Sequence, residues 1–264
     1  MDLADYQDIA FAREGKILTI TLNRPQRRNA VDARLHEELS RVFFDAAADP
    51  QSEVIVLTGA GEAFCAGGDI TWMSDALDDP AMFEALRVEA KKLVAGMLEC
   101  EKPIVCKMNG HAAGLGATIA LYSDIIFASD AARISDPHVS VGLVAGDGGA
   151  IVWPMLVGLP VAKRYLLTGD PLSAVDAAAL GMINEAVPAD QLDAKVAAFA
   201  RRLAGGATQA IRLTKVVANL PLKQAFHAYI DASVSYETRT SLTDDHREAV
   251  LAFAEKRSPK FAGS

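Results

Sequence analysis

Ala63-Phe64-Cys65-Ala66-Gly67-Gly68-Asp69-Ile70 and Asn109-Gly110-His111-Ala112-Ala113-Gly114-Leu115-Gly116-Ala117 decide how this chain is read. Each follows an apolar run with strand character, Val54-Ile55-Val56-Leu57 before the first and Pro103-Ile104-Val105-Cys106-Lys107-Met108 before the second. Each opens a turn or a helix. Glycines at such a junction permit positive φ and close backbone approach, and they leave backbone N–H groups free to face an anion. Two such turns converging on one point form an oxyanion hole, in which each donor stabilises an enolate or tetrahedral oxyanion by roughly 3–4 kcal/mol. Taken singly, either turn reads better as tight strand-to-helix packing. Neither has the GxGxxG spacing of a dinucleotide fingerprint.

Outward from these turns the same alternation continues. Ile17–Leu22 reads as a strand, broken by Asn23-Arg24-Pro25. Residues 29–48 carry Val31, Leu35, Leu39, Val42, Phe43 and Ala46 at helical spacing. Further helices are expected over Met82–Glu99, Gly114–Ala120, Gly146–Val157, Val161–Thr168, Ala174–Leu180 and Ala189–Leu203, and strands at Asp124–Ala128 and Ala132–Ile134. Strands alternating with helices over about 205 residues are the mark of an α/β fold. After Gly205-Gly206 only helices are expected, over Thr208–Asn219, Leu222–Thr240 and Thr243–Lys256. The glycine pair and the change of class divide the chain at 1–205 and 206–264.

The 264 residues carry a net charge of −8, which argues against a general nucleic-acid surface. The charge is uneven: from Ala207 onward there are 8 basic and 6 acidic residues, against 18 and 28 before it. A mildly basic tail on an acidic body suits an anionic ligand, a subunit contact or simply a solvated helix face. Cys65, Cys100 and Cys106 show neither metal-ligand nor disulfide spacing, so a reducing compartment and no metal are expected. The acidic N-terminus lacks a signal core and no uncharged apolar run is long enough to span a bilayer, so the expectation is a cytoplasmic protein without a membrane partner.

In order and spacing the motifs resemble the enoyl-CoA hydratase/isomerase (crotonase) family over essentially the whole chain. The segments that carry the likeness are Asn23-Arg24-Pro25 with Asn29-Ala30, Phe64–Asp69, Asn109–Gly116, Ser123–Ala128, Gly142-Leu143 with Gly146–Gly149, Thr168-Gly169-Asp170, Ala174–Gly181 and Val187-Pro188. The resemblance implies a crotonase-like spiral of ββα units with a C-terminal helical trimerisation region, and trimers that pair into hexamers. It implies an acyl-CoA thioester substrate and no separate cofactor, coenzyme A being part of the substrate. By position it implies that Gly68 and Leu115 supply the oxyanion-hole N–H groups and that Ala66 meets the adenine amino group. Gly67, Asp69 and Ile70 complete that turn. Arg24 and Arg27 fall near the CoA nucleotide, and Phe253 and Lys256 match a C-terminal pair that reaches CoA.

The pattern fails where the family's hydratases carry two glutamates. Those positions here are Thr118 and His138. A threonine hydroxyl is too weak an acid to serve as a base near neutral pH, whereas histidine suits proton transfer. His138 is therefore the first candidate acid/base. Asp147, in the glycine turn, is the second, with helix capping as its other reading. His111 is placed behind the site, and Asp69 is expected to fix its turn. Trp72, Met73, Met82, Phe83 and Leu86 fall where the family varies its acyl pocket, or are plain core. The expected chemistry is isomerisation or atypical hydration of an enoyl-CoA through a stabilised enolate. The alternatives are hydrolytic C–C cleavage of a β-dicarbonyl substrate and non-catalytic acyl-CoA binding.

Overall fold

The computed structural model describes residues 5–77 and 79–264, with residues 80–84 by backbone alone. The described elements are β1 (Ile9–Glu14), β2 (Ile17–Leu22), α1 (Ala33–Ala48), β3 (Val54–Gly59), α2 (Ile70–Ala76), α3 (Pro80–Glu99), β4 (Ile104–Met108), β5 (Ala112–Ala113), α4 (Leu115–Leu121), β6 (Ile125–Ser129), β7 (Arg133–Ser135), α5 (Gly149–Thr168), β8 (Leu172–Ser173), α6 (Ala174–Ala179), β9 (Glu185–Val187), α7 (Ala189–Ala204), α8 (Thr208–Ala218), α9 (Leu220–Ser241) and α10 (Asp244–Ala254). Single 3-10 turns lie at Pro25–Arg27 and His138–Val141.

Six strands form one sheet in the order β1-β2-β3-β4-β6-β9, parallel except for the β1–β2 hairpin. A smaller sheet, β5-β7-β8, stands beside it. The period of two along each strand sorts side chains to two cores. Leu18, Ile20, Leu22, Ile55 and Leu57 face Leu35, Leu39, Val42 and Phe43 of α1 and Leu93, Val94 and Met97 of α3. Ile17, Val54, Val56, Val105 and Phe127 face Leu192, Val196 and Ala200 of α7. Asp32 caps α1 by accepting from the Leu35 N–H. The helix therefore starts at Ala33, four residues later than the apolar spacing suggested, because the preceding residues are committed to the Asn29 turn described below.

Helices α8 to α10 are held to this body. Phe226, Ile230 and Val234 of α9 are buried in the main core. Lys215 on α8 pairs with Asp124 at 2.7 Å and donates to the Lys102 carbonyl at 2.9 Å. Among the described residues one helix, α5, is long and apolar enough to cross a membrane, although no uncharged apolar run of that length stands in the sequence. Gly158 breaks it with φ 74° and ψ 161°, and Ile151, Val152 and Trp153 of its first half are buried in the core. The break reproduces the two shorter helices expected from the sequence.

Candidate active site

The two glycine turns meet. Cys65 pairs with Ala112, and the Ala113 N–H donates to the Cys65 carbonyl at 2.9 Å. Gly67 has φ 84°, and a Cβ there would lie 2.8 Å from the Ala113 carbonyl oxygen and 3.7 Å from Gly114 Cα. Only glycine fits that approach. The first turn is tied at its other side to Val31, whose N–H donates to the Gly67 carbonyl at 2.7 Å and whose carbonyl accepts from the Asp69 N–H at 2.9 Å. Between those two bonds the Gly68 N–H has no backbone acceptor among the described residues, and the Leu115 N–H, in the first turn of α4, has none there either. Both residues line one cavity of about 420 Å³.

Several expected contacts have different work. Asp69 caps α2 by accepting from the Thr71 N–H at 3.0 Å, as expected of a residue that fixes the turn. Arg24, expected near a nucleotide, is 9% exposed and pairs with Asp32 at 2.7 Å, with Asp69 and Asp8 farther off. It also donates to the Ala30 carbonyl. A guanidinium spent on three carboxylates is not free for a phosphate, so its role is to fix the turn around Asn29. Asn29, with φ 56°, accepts from the Arg24 N–H and donates to the carbonyls of Ala60, Ala63 and Phe64. Arg27 and Arg28 stay exposed beside Ala66, whose N–H donates to the Arg28 carbonyl. His111 accepts from the Arg133 N–H and is structural. Phe253 lines the cavity and is 61% exposed. Lys256 does not line it; Arg257 and Pro259 do. Trp72, Met73 and Leu86, read as acyl-pocket or core residues, line it, and so does Ile70. The side chains of Met82 and Phe83 lie outside the described residues.

His138 stands against the turns: a Cβ on Gly114 would be 3.6 Å from its Cε1. Its Nδ1 is hydrogen-bonded to Asp136, which is fully buried. Its Nε2 lies 3.6 Å from Asp147 Oδ2 and 3.8 Å from Glu237 Oε1. Asp147 accepts from the Thr118 hydroxyl at 2.9 Å and from the Gly149 N–H at 3.3 Å. Asp147 precedes Gly148, the N-cap position of α5; one of its oxygens accepts from the first helical N–H and the other faces His138. Thr118 is fully buried, and its hydroxyl is turned to Asp147.

Burial opposes a charge on His138, yet Asp136, then Asp147 and Glu237, outweigh it and hold the imidazole well above its ordinary pKa. Burial raises Asp147 too, against the pull of His138 and the Thr118 hydroxyl. Burial raises Glu237 to about 8, opposed by His138 and reinforced by Asp147 and Asp136. The cluster therefore holds one basic imidazole and one carboxyl that stays protonated at neutral pH. Two of its members were not read from the sequence. Asp136 is a Pro-preceding residue within two positions of His138, a spacing that carried no separate signal. Glu237 comes from α9, 90 positions after Asp147, and only the fold brings it in.

The sequence profile of the enoyl-CoA hydratase/isomerase family matches residues 12–264. The chain is 34% identical over 252 residues to 1,2-epoxyphenylacetyl-CoA isomerase of Escherichia coli, covering 95% of this chain and 96% of that protein. The structure of an enoyl-CoA hydratase/isomerase from Mycobacterium paratuberculosis superimposes with a TM-score of 0.90 at 37% identity, covering 94% of this chain and 99% of that one. A β-diketone hydrolase from the cyanobacterium Anabaena sp., bound to (S)-3-oxocyclohexyl acetic acid, superimposes with a TM-score of 0.84 at 29% identity, covering 91% and 96%.

Proposed function

The chain belongs to the enoyl-CoA hydratase/isomerase family, and from that premise we propose that it hydrolyses the carbon–carbon bond between two carbonyls of a β-dicarbonyl acyl-CoA. The observation that carries this reading is the pairing of a buried imidazole with a carboxyl of raised pKa at 3.8 Å, beside two glycine turns with free N–H groups. An isomerase needs one group to carry a proton between two carbons. An imidazole and a neighbouring carboxyl that can pass a proton between them suit a reaction that activates water and then protonates a carbanion.

In the proposed mechanism the thioester oxygen accepts from the N–H groups of Gly68 and Leu115. Water loses a proton to His138 Nε2 and attacks the more distant ketone carbon, giving a tetrahedral oxyanion. Asp147 accepts from that water and orients it. The bond between the ketone carbon and the α-carbon breaks. Its electron pair passes to the thioester as an enolate held by the two backbone donors, and the ketone fragment leaves as a carboxylic acid. Glu237 protonates the α-carbon and is recharged from His138. With acetoacetyl-CoA the balance is substrate plus water to acetic acid and acetyl-CoA.

The β-diketone hydrolase relative supports this reading by its name and bound ligand. The 1,2-epoxyphenylacetyl-CoA isomerase relative supports, by its name, the other use of the same base and hole, isomerisation of an acyl-CoA. Assays with acetoacetyl-CoA, longer 3-oxoacyl-CoAs, crotonyl-CoA and a 3-enoyl-CoA separate them. The expected result is a carboxylic acid and a shortened acyl-CoA, with slow hydration of crotonyl-CoA. Rapid isomerisation or hydration with no cleavage of any 3-oxoacyl-CoA overturns it. For nucleotide binding, exposed Arg27 and Arg28 beside Ala66 are the cations this reading uses.

A further inference from the structure

The cavity that holds His138 contains a second carboxylate-backed imidazole. His36 lies on the buried face of α1, is 5% exposed and lines the cavity. Its Nδ1 is 2.6 Å from Glu89 Oε2 on α3. Its ring sits 6.0 Å from that of Trp72, centroid to centroid, on the cavity wall. Neighbouring cavity residues Met73, Leu86 and Ala90 are apolar.

An apolar residue at position 36 would pack α1 against α3 as well as Leu35 and Leu39 do. A buried imidazole is costly unless satisfied. A carboxylate only accepts, so Nδ1 carries the proton toward Glu89. That fixes the ring and leaves Nε2 without a hydrogen-bond partner among the described residues, in a ring that lines the cavity. His138 has the same arrangement with Asp136 but stands against Gly114. His36 stands instead on the wall formed by α1, α2 and α3, which the proposed reaction leaves unused.

We infer that His36, oriented by Glu89, is a recognition site for a neutral oxygen function, oxo or hydroxyl, on the acyl chain bound in this cavity. Nε2 accepts from a hydroxyl when neutral and donates to either oxygen when protonated. The inference rests on the acyl-CoA reading of the cavity but not on which bond the enzyme breaks.

Calorimetric titration of the full chain tests it, with heptanoyl-CoA against its oxo and hydroxy derivatives substituted at the penultimate carbon or either of the two before it. The two sets of derivatives distinguish ketone from alcohol. At least one derivative is expected to bind roughly threefold to tenfold more tightly than heptanoyl-CoA, the worth of one hydrogen bond. In His36→Phe the derivative binds no more tightly than heptanoyl-CoA does to the same variant, and His36→Gln restores part of the preference. If His36→Phe does not fold, Glu89→Gln, which keeps the imidazole but loosens its orientation, lowers the same ratio. No preference in the unmodified protein, or a preference undiminished in the folded variants, overturns the inference while leaving the cleavage reaction standing. Failure of all the thioesters to bind overturns both. Loss of cleavage with the preference retained overturns only the reaction.

Discussion

His138 Nδ1 faces a fully buried carboxylate, so the imidazole proton sits there and Nε2 is free to take a proton from water. Asp136→Asn lets an amide donate to Nδ1 and puts the proton on Nε2, where it blocks the base. The expected loss in kcat is about 10²–10⁴. Because Asp136 is the foremost charge raising His138, the alkaline-rising limb of the pH–rate profile, expected above the ordinary histidine range, also moves to lower pH. Steady-state kinetics across pH check both; an unchanged profile would remove His138 as the base. Glu237 gives a second residue-scale test through stability. The folded protein keeps its proton up to about 8, whereas an unfolded glutamate releases it near 4.5. Its contribution is therefore fully present below about 4.5 and lost as pH rises through about 8. Glu237→Gln cannot lose that proton. Thermal unfolding should show the variant gaining on the wild type as pH rises from 5 to 9, the gap closing below it. His138 was legible because histidine stands where a carboxylate is expected. Glu237 was not, because nothing near it in sequence marks a helix-borne glutamate as buried.

Element positions explain why the site is assembled from distant segments. Helix α9 delivers Glu237 only because the turn before α5 lets it come close. A Cβ on Gly146 would lie 2.5 Å from Glu237 Cβ and 2.7 Å from the Ser233 carbonyl oxygen. Gly146→Ala should therefore push α9 outward by a few tenths of an ångström or more and separate Glu237 from His138. Cleavage should fall at least tenfold, with less effect on binding, since misplacement of a reacting group by about 1 Å can cost 10²-fold. Single-turnover kinetics beside acyl-CoA titration measure the split; equal loss in both would mean the cavity itself collapsed. The strands β2, β3, β4 and β6 and nearly every helix were readable from alternation, helical spacing and glycine stops. Strands β8 and β9 were not, because two or three residues are too short to show a period. β1 was missed for a different reason: it is an edge strand, exposed along its second half, with little apolar pattern.

Across the whole molecule, the acid/base cluster is complete within one chain, yet the surface is not that of a protein designed to stay alone. Leu213 and Val217 follow i, i+4 spacing on α8, and Leu220 opens α9; all three are about half exposed or more. Tyr229 and Tyr236 stand seven residues apart on α9 and are 62% and 59% exposed. The helical region thus buries one face in its own core, through Phe226, Ile230 and Val234, and leaves another apolar face to solvent. Stripes of this kind mark association surfaces. The region is also mildly basic and the remainder strongly acidic, so contact between copies brings opposite charges together. We expect a trimer or a pair of trimers, larger than the 28.0 kDa chain at micromolar concentration in sedimentation equilibrium. Val217→Lys with Leu220→Lys should dissociate it without altering the far-ultraviolet spectrum, because both positions lie outside the protomer core. The dissociated form should keep its kcat, since Asp136, His138, Asp147 and Glu237 come from one chain. A change confined to KM would place part of the substrate contact across the subunit boundary. A 28 kDa species for the unmodified protein would show instead that the exposed stripe serves another partner.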